Sequence, residues 1–158
     1  MTRSNTPGNG GAAAATDIPL EDFVCFSLYS ANHAMNRVYK PLLAELGLTY
    51  PQYLAMVVLW EKDGIPVGTL CERLHLESST LTPLLKRLET MGLVTRARDK
   101  SDERQVRVTL TDKGHALKTK TKDIVACVVS ATGLQVDELI DLQKKIAQLR
   151  DNLRKAAA

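Results

Sequence analysis

The period of the apolar residues changes once along this chain, and that change limits the folds open to it. From residue 67 to 92 the apolar positions recur at three- and four-residue steps, as a buried helix stripe requires. From 93 to 110 they recur every second residue, as a strand with one buried face requires. The helical part divides in two. Residues 67–74 (VGTLCERL) predict a helix too short to stand alone. Residues 78–92 open on hydroxyl residues able to cap a helix start, place Leu81, Leu84, Leu85 and Leu88 on one face, and stop at a C-terminal glycine, Gly92. Pro83 lies near enough to the start to be tolerated. The alternating part predicts a two-stranded ribbon, 93–98 and 105–110, with Val106, Val108 and Leu110 on one face and the polar run 99–103 between the strands.

Helical periods flank this centre. Leu20, Phe23, Val24, Leu28, Ala31, Ala34, Met35 and Val38 predict a first helix that Pro41 should kink or break. Gly47 then stops the chain, Thr49 caps, and Pro51 fits the first turn of a second helix over about 50–62, with Leu54, Val57, Val58 and Trp60 as its stripe. Thr111 predicts the cap of one long helix reaching about 132. A last helix, about 135–155, carries Val136, Leu139, Ile140, Ile146, Leu149 and Leu153. Residues 1–17, rich in Gly, Ala, Asn and Thr, lack any period and read as a disordered tail. The expected class is mainly α with a small β hairpin, a single domain over 18–158.

Composition closes several alternatives. With 44% apolar residues in 158, the chain has enough material for a core without metal or disulfide staples. Cys25, Cys71 and Cys127 are far apart, as are His33, His75 and His115, so no zinc spacing exists, and neither metal nor cofactor is expected. No run of 18 apolar residues and no apolar leader occurs, which points to the cytoplasm and away from membranes. A net charge of +3 says little, and 4% aromatics argue against stacking on single strands.

Two short helices followed by a hairpin is the order of a winged helix-turn-helix, here about 49–111, whose second helix enters the major groove of duplex DNA. The residue types agree. Ser78, Ser79, Thr80 and Thr82 offer hydroxyls at the start of that helix, with Lys86 and Arg87 further along. Arg96, Arg98, Lys100, Arg104 and Arg107 place five cations on or beside the hairpin. Charge on a solvated hairpin also keeps its edges from pairing, but a hairpin that directly follows a hydroxyl-rich helix favours DNA. Asp99 and Asp102 are expected to hold neighbouring arginines in place. The outer helices, about 18–46 and 112–155, have more apolar surface than the reading head can cover, so a second copy is the expected partner. Such a homodimer would read a pseudopalindrome with half-sites roughly 34 to 36 Å apart.

The segments Leu28-Tyr29-Ser30, Tyr39-Lys40-Pro41-Leu42-Leu43, Leu48-Thr49-Tyr50-Pro51-Gln52-Tyr53-Leu54, Thr80-Leu81-Thr82-Pro83-Leu84-Leu85-Lys86-Arg87 and Asp102-Glu103-Arg104 resemble the organic hydroperoxide resistance regulators (OhrR) of the MarR family. The resemblance covers residues 20 to about 155. Leu110, Thr111 and Gly114 mark MarR proteins generally, whereas Cys25 with Tyr29, Tyr39 and Tyr50 is more specific to the hydroperoxide sensors. It implies a repressor, not an enzyme, whose Cys25 is oxidised by organic hydroperoxides to a sulfenic acid and whose dimer then leaves its operator. It further implies that Tyr39 and Tyr50 hydrogen-bond the sulfur, that Tyr29 is a third sensor tyrosine, and that Cys127 resolves the oxidised Cys25 of the other subunit as a disulfide. Fourteen residues separate Cys25 from Tyr39, roughly 21 Å along a helix, so the two cannot touch within one helix and a dimer interface would have to join them. Cys71, between Leu70 and Leu74, reads as a small core thiol.

The residues alone do not single out Cys25, because Glu21 and Asp22 nearby oppose its ionisation. Ser79 stands where relatives often have Gly, which bears on the base contacts. Two other functions compete. A MarR-type repressor released by a small apolar or phenolic ligand would need no thiol. A cysteine peroxidase would need an activating cation, and no Arg or Lys occurs in the ten residues before Cys25.

Overall fold

The computed structural model describes residues 18–157; the expected tail, 1–17, lies outside the described residues. Two compact units emerge, the first up to Ala34 and the second from Met35 onward. In the first, a 3-10 turn over Leu20–Asp22 leads into helix α1, Val24–Ala44. Leu20, Val24 and Tyr29 are exposed there, and the Tyr29 ring meets His33 edge-on, one helical turn away, at 4.4 Å.

In the second unit α1 runs through Pro41 and ends at Ala44, so the expected break does not occur. Pro41 costs one amide donor in the last turn, and burial of the adjacent Leu43 anchors that turn in the core. Gly47, at φ +68°, then reverses the chain while Leu48 N–H donates to Leu43 O at 3.1 Å. Helix α2, Tyr50–Glu61, starts as expected: Thr49 N–H donates to Gln52 Oε1 at 2.8 Å, and Pro51 occupies the first turn, where its missing amide costs nothing. Its stripe differs from the expected one. Tyr53, Ala55, Met56, Val58 and Leu59 are buried, while Leu54, Val57 and Trp60 are half-buried. α2 is enclosed from several sides rather than lying on a surface, so a single-stripe reading misplaces its core face.

A short strand β1, Ile65–Pro66, precedes α3, Val67–Leu74, and α4, Ser78–Thr90. Strands β2, Val94–Arg98, and β3, Val106–Leu110, form the hairpin, with Val94 opposite Leu110 and Arg98 opposite Val106. β1 adds to the free edge of β3, Ile65 opposite Val108, so the ribbon is a three-stranded antiparallel sheet in the order β1-β3-β2. Two residues, one of them Pro, are too few to show a period, which is why β1 was not expected. On α4, Leu81, Leu85 and Leu88 are buried but Leu84 is half-buried, and the N-cap is Glu77 rather than a hydroxyl residue. Val106, expected on the core face, is exposed near the hairpin tip.

The long helix expected after the hairpin is divided. Helix α5, Asp112–Leu117, passes into a 3-10 turn, Lys118–Thr121, before α6, Lys122–Thr132. Thr119 and Thr121 donate their hydroxyls to Ala116 O and Lys118 O, each at 2.8 Å, and such local bonds draw the backbone out of α-helix. Gly133, at φ +69°, ends α6, and α7, Val136–Ala156, follows. α7 buries no residue, and Val136, Ile140, Leu142, Ile146 and Leu153 on it are exposed. The core lies instead around α2, α3, α4 and the sheet: Met56, Leu59, Leu70, Leu81, Leu85, Leu88, Leu93, Val94 and Val108 are almost wholly shielded. Among the described residues no helix is long and apolar enough to cross a membrane.

Candidate nucleic-acid interface and thiol positions

Helix α3 ends at His75 in the left-handed region, φ 54°, where Leu76 N–H returns to Cys71 O at 3.0 Å and turns the chain into α4. Glu77 O accepts from the amides of both Thr80 and Leu81 at 3.0 Å, which starts α4 without a side-chain cap. With its leucines buried, α4 must present the opposite face to solvent, and Ser78, Ser79, Thr80, Thr82, Lys86 and Arg87 are all exposed on it. Thr82 donates its hydroxyl to Ser78 O at 2.7 Å, leaving its oxygen lone pairs as acceptors. The sequence-predicted helix residues are thus brought together on one outward face.

The hairpin cations divide into two groups. Arg96 forks onto Glu89 with Nε and Nη2 at 3.0 and 2.7 Å, and its amide donates to the other carboxylate oxygen at 3.2 Å. That pair pins β2 to the C-terminal half of α4, and the Arg96 bonds hold the Glu89 carboxyl below its ordinary range. Arg107 is bonded to Asp99 and reaches Gly64 O at 2.6 Å, tying the hairpin to the loop before β1. Asp99 is only 7% exposed. It accepts from Ser101 N and Oγ at 2.8 and 2.6 Å, and those bonds first, then Arg107, hold its carboxyl well below the usual carboxylate range. Asp102 accepts from Arg104 N and Nε at 3.1 and 3.2 Å and from Gln105 Nε2 at 3.1 Å, which lowers its pKa likewise. Both aspartates therefore do the arginine-holding expected of them. Arg96 and Arg107 act as internal ties, whereas Arg98, Lys100 and Arg104, the last with 92% of its side chain exposed, point charge outward.

The start of α5 locks the hairpin to the end of α4. Thr111 Oγ1 accepts from Gly114 N at 3.1 Å, capping α5 as the sequence predicts, and donates to Gly92 O at 2.6 Å. Thr111 N–H reaches Leu93 O at 3.0 Å, and Lys113 Nζ reaches Met91 O at 2.8 Å.

All three cysteines are free; Cys25 and Cys127 are exposed and Cys71 is half-buried, its Sγ 3.6 Å from Ser78 Oγ. On α6 the neighbours of Cys127, Ile124 and Val128, are buried, so the thiol sits at the edge of the helix's apolar face. Tyr39 from α1 and Tyr50 from α2 have ring centroids 4.6 Å apart. Tyr53 joins them, 6.0 Å from Tyr39, and Trp60 continues the series, 6.2 Å from Tyr53. Burial, and then the neighbouring phenols of Tyr50 and Tyr53, push the Tyr39 hydroxyl up to about 12. Burial also raises Tyr50 and Tyr53. Tyr29 belongs to the first unit and is exposed. Sequence reasoning missed Tyr53 and Trp60 as members of this cluster. Their spacing held the signal, since Tyr53 lies three residues after Tyr50 and Trp60 seven after Tyr53, one helix face. Among the described residues no group of His, Cys, Asp or Glu could hold a metal.

Comparison with known proteins places these features. The family described as Transcriptional regulator SarA/Rot matches residues 37–121. The chain is 50% identical over 138 residues to the HTH-type transcriptional regulator TtmR of Methylorubrum extorquens, covering 87% of this chain and 71% of the relative. It is 42% identical over 134 residues to the organic hydroperoxide resistance transcriptional regulator of Bacillus subtilis, covering 85% and 91%. Among solved structures it is similar to AbfR of Staphylococcus epidermidis, reduced and bound to DNA, at 33% identity and TM-score 0.72, covering 85% of this chain and 92% of that one. To the disulfide form of AbfR the TM-score is 0.58, at 34% identity over 84% and 88%.

Proposed function

Because the chain belongs to the SarA/Rot family of MarR-like winged-helix transcriptional regulators, we propose that it is a dimeric cytoplasmic repressor that leaves its operator when an organic hydroperoxide oxidises Cys25. The observation that carries this reading is the Tyr39–Tyr50 pair. Phenols whose pKa values are raised stay protonated through the physiological range and act as fixed hydrogen-bond donors, which stabilise a thiolate and then a sulfenate. In this reading the thiol they serve is Cys25 of a second copy, as a two-fold dimer could arrange. The exposed apolar stripe of α7, in a helix with no buried residue, supports a pair of chains as the working unit.

The chemistry needs only the peroxide. The Cys25 thiolate attacks one peroxide oxygen, the O–O bond breaks, the alcohol leaves after taking up a proton, and a sulfenic acid forms. The partner's Cys127 thiol then displaces hydroxide from that sulfur, giving a disulfide and water. A bond between α1 of one chain and α6 of the other changes the spacing of the two α4 helices, and two major-groove contacts lose register together. Each thiol reacts once; continuous peroxide turnover under excess thiol would mark an enzyme instead.

Gel retardation of an operator fragment, with and without cumene hydroperoxide, followed by non-reducing gels, tests the proposal. Cys25→Ser should bind DNA normally and ignore the oxidant. Cys127→Ser should form the sulfenic acid without a crosslinked dimer, and Cys71→Ser should match wild type. A crosslink persisting without Cys25 overturns the sensor assignment, and one persisting without Cys127 removes the resolving role. A second reading, release by a phenolic or other apolar ligand, is favoured by an open cavity of about 470 Å³ lined by Tyr53, Val57, Trp60, Val125, Lys118 and Lys122. Release of Cys25→Ser by a phenolic carboxylate would select it.

A further inference from the structure

The redox reading leaves a mechanical gap, because the sensor tyrosines meet at the start of α2 while the DNA-facing helix is α4. Trp60 stands between them. It is the chain's single tryptophan, at the far end of α2 from Tyr50, about 15 Å along the helix axis. Its ring packs edge-on against Tyr53, 6.2 Å away, which in turn touches Tyr39. Its indole N–H donates to Gly114 O at 2.9 Å, and its own carbonyl accepts from Lys118 Nζ at 3.2 Å. The last helical residues of α2 are therefore fastened to α5 and to the 3-10 turn that follows it.

Gly114 in turn has no slack. A Cβ there would lie 2.1 Å from Leu93 O and 3.2 Å from Leu110 Cδ2, so the α5 backbone is pressed directly on Leu93, in the short link between α4 and β2. Around that contact Thr111 holds Gly92 O and Leu93 O, and Lys113 holds Met91 O. The end of α4 and the start of α5 are thus one rigid piece, joined to α2 by the indole hydrogen bond. Close-packed pieces of this kind shift as units rather than deform continuously.

We infer that Trp60 is a positioning residue that passes displacement of the tyrosine cluster through Gly114 to the C-terminal end of α4, so that oxidation at the cluster alters DNA affinity. This rests on the redox reading proposed above. The indole touches neither peroxide nor DNA; its contribution is to make α2 and the α4–α5 junction move together. Losing the N–H bond while keeping an aromatic ring should therefore spare thiol chemistry and reduced-state binding but weaken the link between them.

The test is Trp60→Phe in the full-length protein, with three readouts. Operator affinity of the reduced variant should stay within about twofold of wild type. The rate of Cys25 oxidation by cumene hydroperoxide, followed by mass spectrometry, should be unchanged. The loss of operator affinity on full oxidation should be at least about tenfold smaller than in wild type. Equal oxidation-linked loss in both proteins overturns the inference and leaves the sensor reading intact. Wild type that keeps its operator after Cys25 is fully oxidised overturns both. A second measurement needs no variant: emission from Trp60 in wild type should shift on oxidation, and an unchanged spectrum in protein that has released DNA overturns the inference.

Discussion

Gly114→Ala should destabilise the protein even though alanine is the better helix former. Ordinary van der Waals contact begins near 3.4 Å, and a Cβ at position 114 meets Leu93 O at 2.1 Å, so the carbonyl must recede by 3.4 − 2.1, about 1.3 Å. The obstacle is backbone and cannot rotate away. Leu93 O is also the acceptor for Thr111 N–H at 3.0 Å, so receding strains a bond that joins β2 to the start of α5. Overpacking of this kind costs about 1 to 3 kcal/mol. The strained hydrogen bond adds roughly 0.5 to 1.5 kcal/mol. Helix propensity returns about 1 kcal/mol. The net is a loss of about 0.5 to 3.5 kcal/mol, or a fall in Tm of roughly 1 to 14 °C for a chain of this size. Far-UV circular dichroism melts at fixed protein concentration measure it, since assembly makes Tm concentration-dependent. Gly68→Ala is the control. Gly68 lies in α3 with nothing within 4 Å of its Cβ position, so the same change there should stabilise by up to about 1 kcal/mol. Gly114→Ala melting at or above the wild-type temperature would refute the packing argument.

Arg104→Ala should cost about 1 to 3 kcal/mol of operator binding without changing the melt, because the side chain is solvated and paired with Asp102 at the surface; unchanged affinity in a folded variant removes it from the interface. In wild type, affinity should fall steeply between low and physiological salt, since paired basic heads release counterions from the duplex; a flat salt titration counts against the interface. Tyr39, neutral when protonated, has a folded-state pKa raised to about 12 from an ordinary value of 10.0. The unfolded chain thus ionises first, so the stability contributed by that group is fully present below pH 10 and is lost as the pH rises to about 12. Absorbance near 295 nm should show a late-titrating phenol that disappears in Tyr39→Phe; titration of every phenol near pH 10 would contradict the cluster's burial.

Where side chains repeat at a period the sequence was legible, and where backbone competition decides it was not. α3, α4 and the β2–β3 hairpin follow from their apolar spacing because each buries one face against the same core. Strand β1 escaped because pairing with β3, not any property of Ile65 and Pro66, makes it a strand. The division between α5 and α6 escaped because the hydroxyls of Thr119 and Thr121 bond to nearby carbonyls, a competition that apolar spacing does not reveal. On α2 the period itself misled, since a helix enclosed on several sides has no single stripe. Charge was legible in kind but not in allegiance. Counting five hairpin cations could not show that Arg96 and Arg107 are engaged by Glu89 and Asp99, because the register that brings each pair together is a tertiary fact.

The thiols lie at the limit of what one chain can display. α1 carries Cys25 and α6 carries Cys127, both exposed, and among the described residues the first and last helices show exposed apolar side chains. An amphipathic helix such as α7, 21 residues long with no buried position, would gain stability from packing its apolar face on a further surface, since most helical stability in proteins comes from such packing. The proposed partner thus has support in these exposed faces that the proposed sensor lacks. Tyr39 and Tyr50 are assembled within the second unit, and their raised pKa values keep both hydroxyls protonated through the physiological range. In the dimer proposed above, with the acceptor thiol on the other chain, separating the two copies would take the tyrosine hydroxyls away from Cys25 and with them its reactivity toward peroxide. On that proposal peroxide reactivity would belong to the same pair of chains that spans two half-sites of DNA, so the form that reacts would be the form that represses.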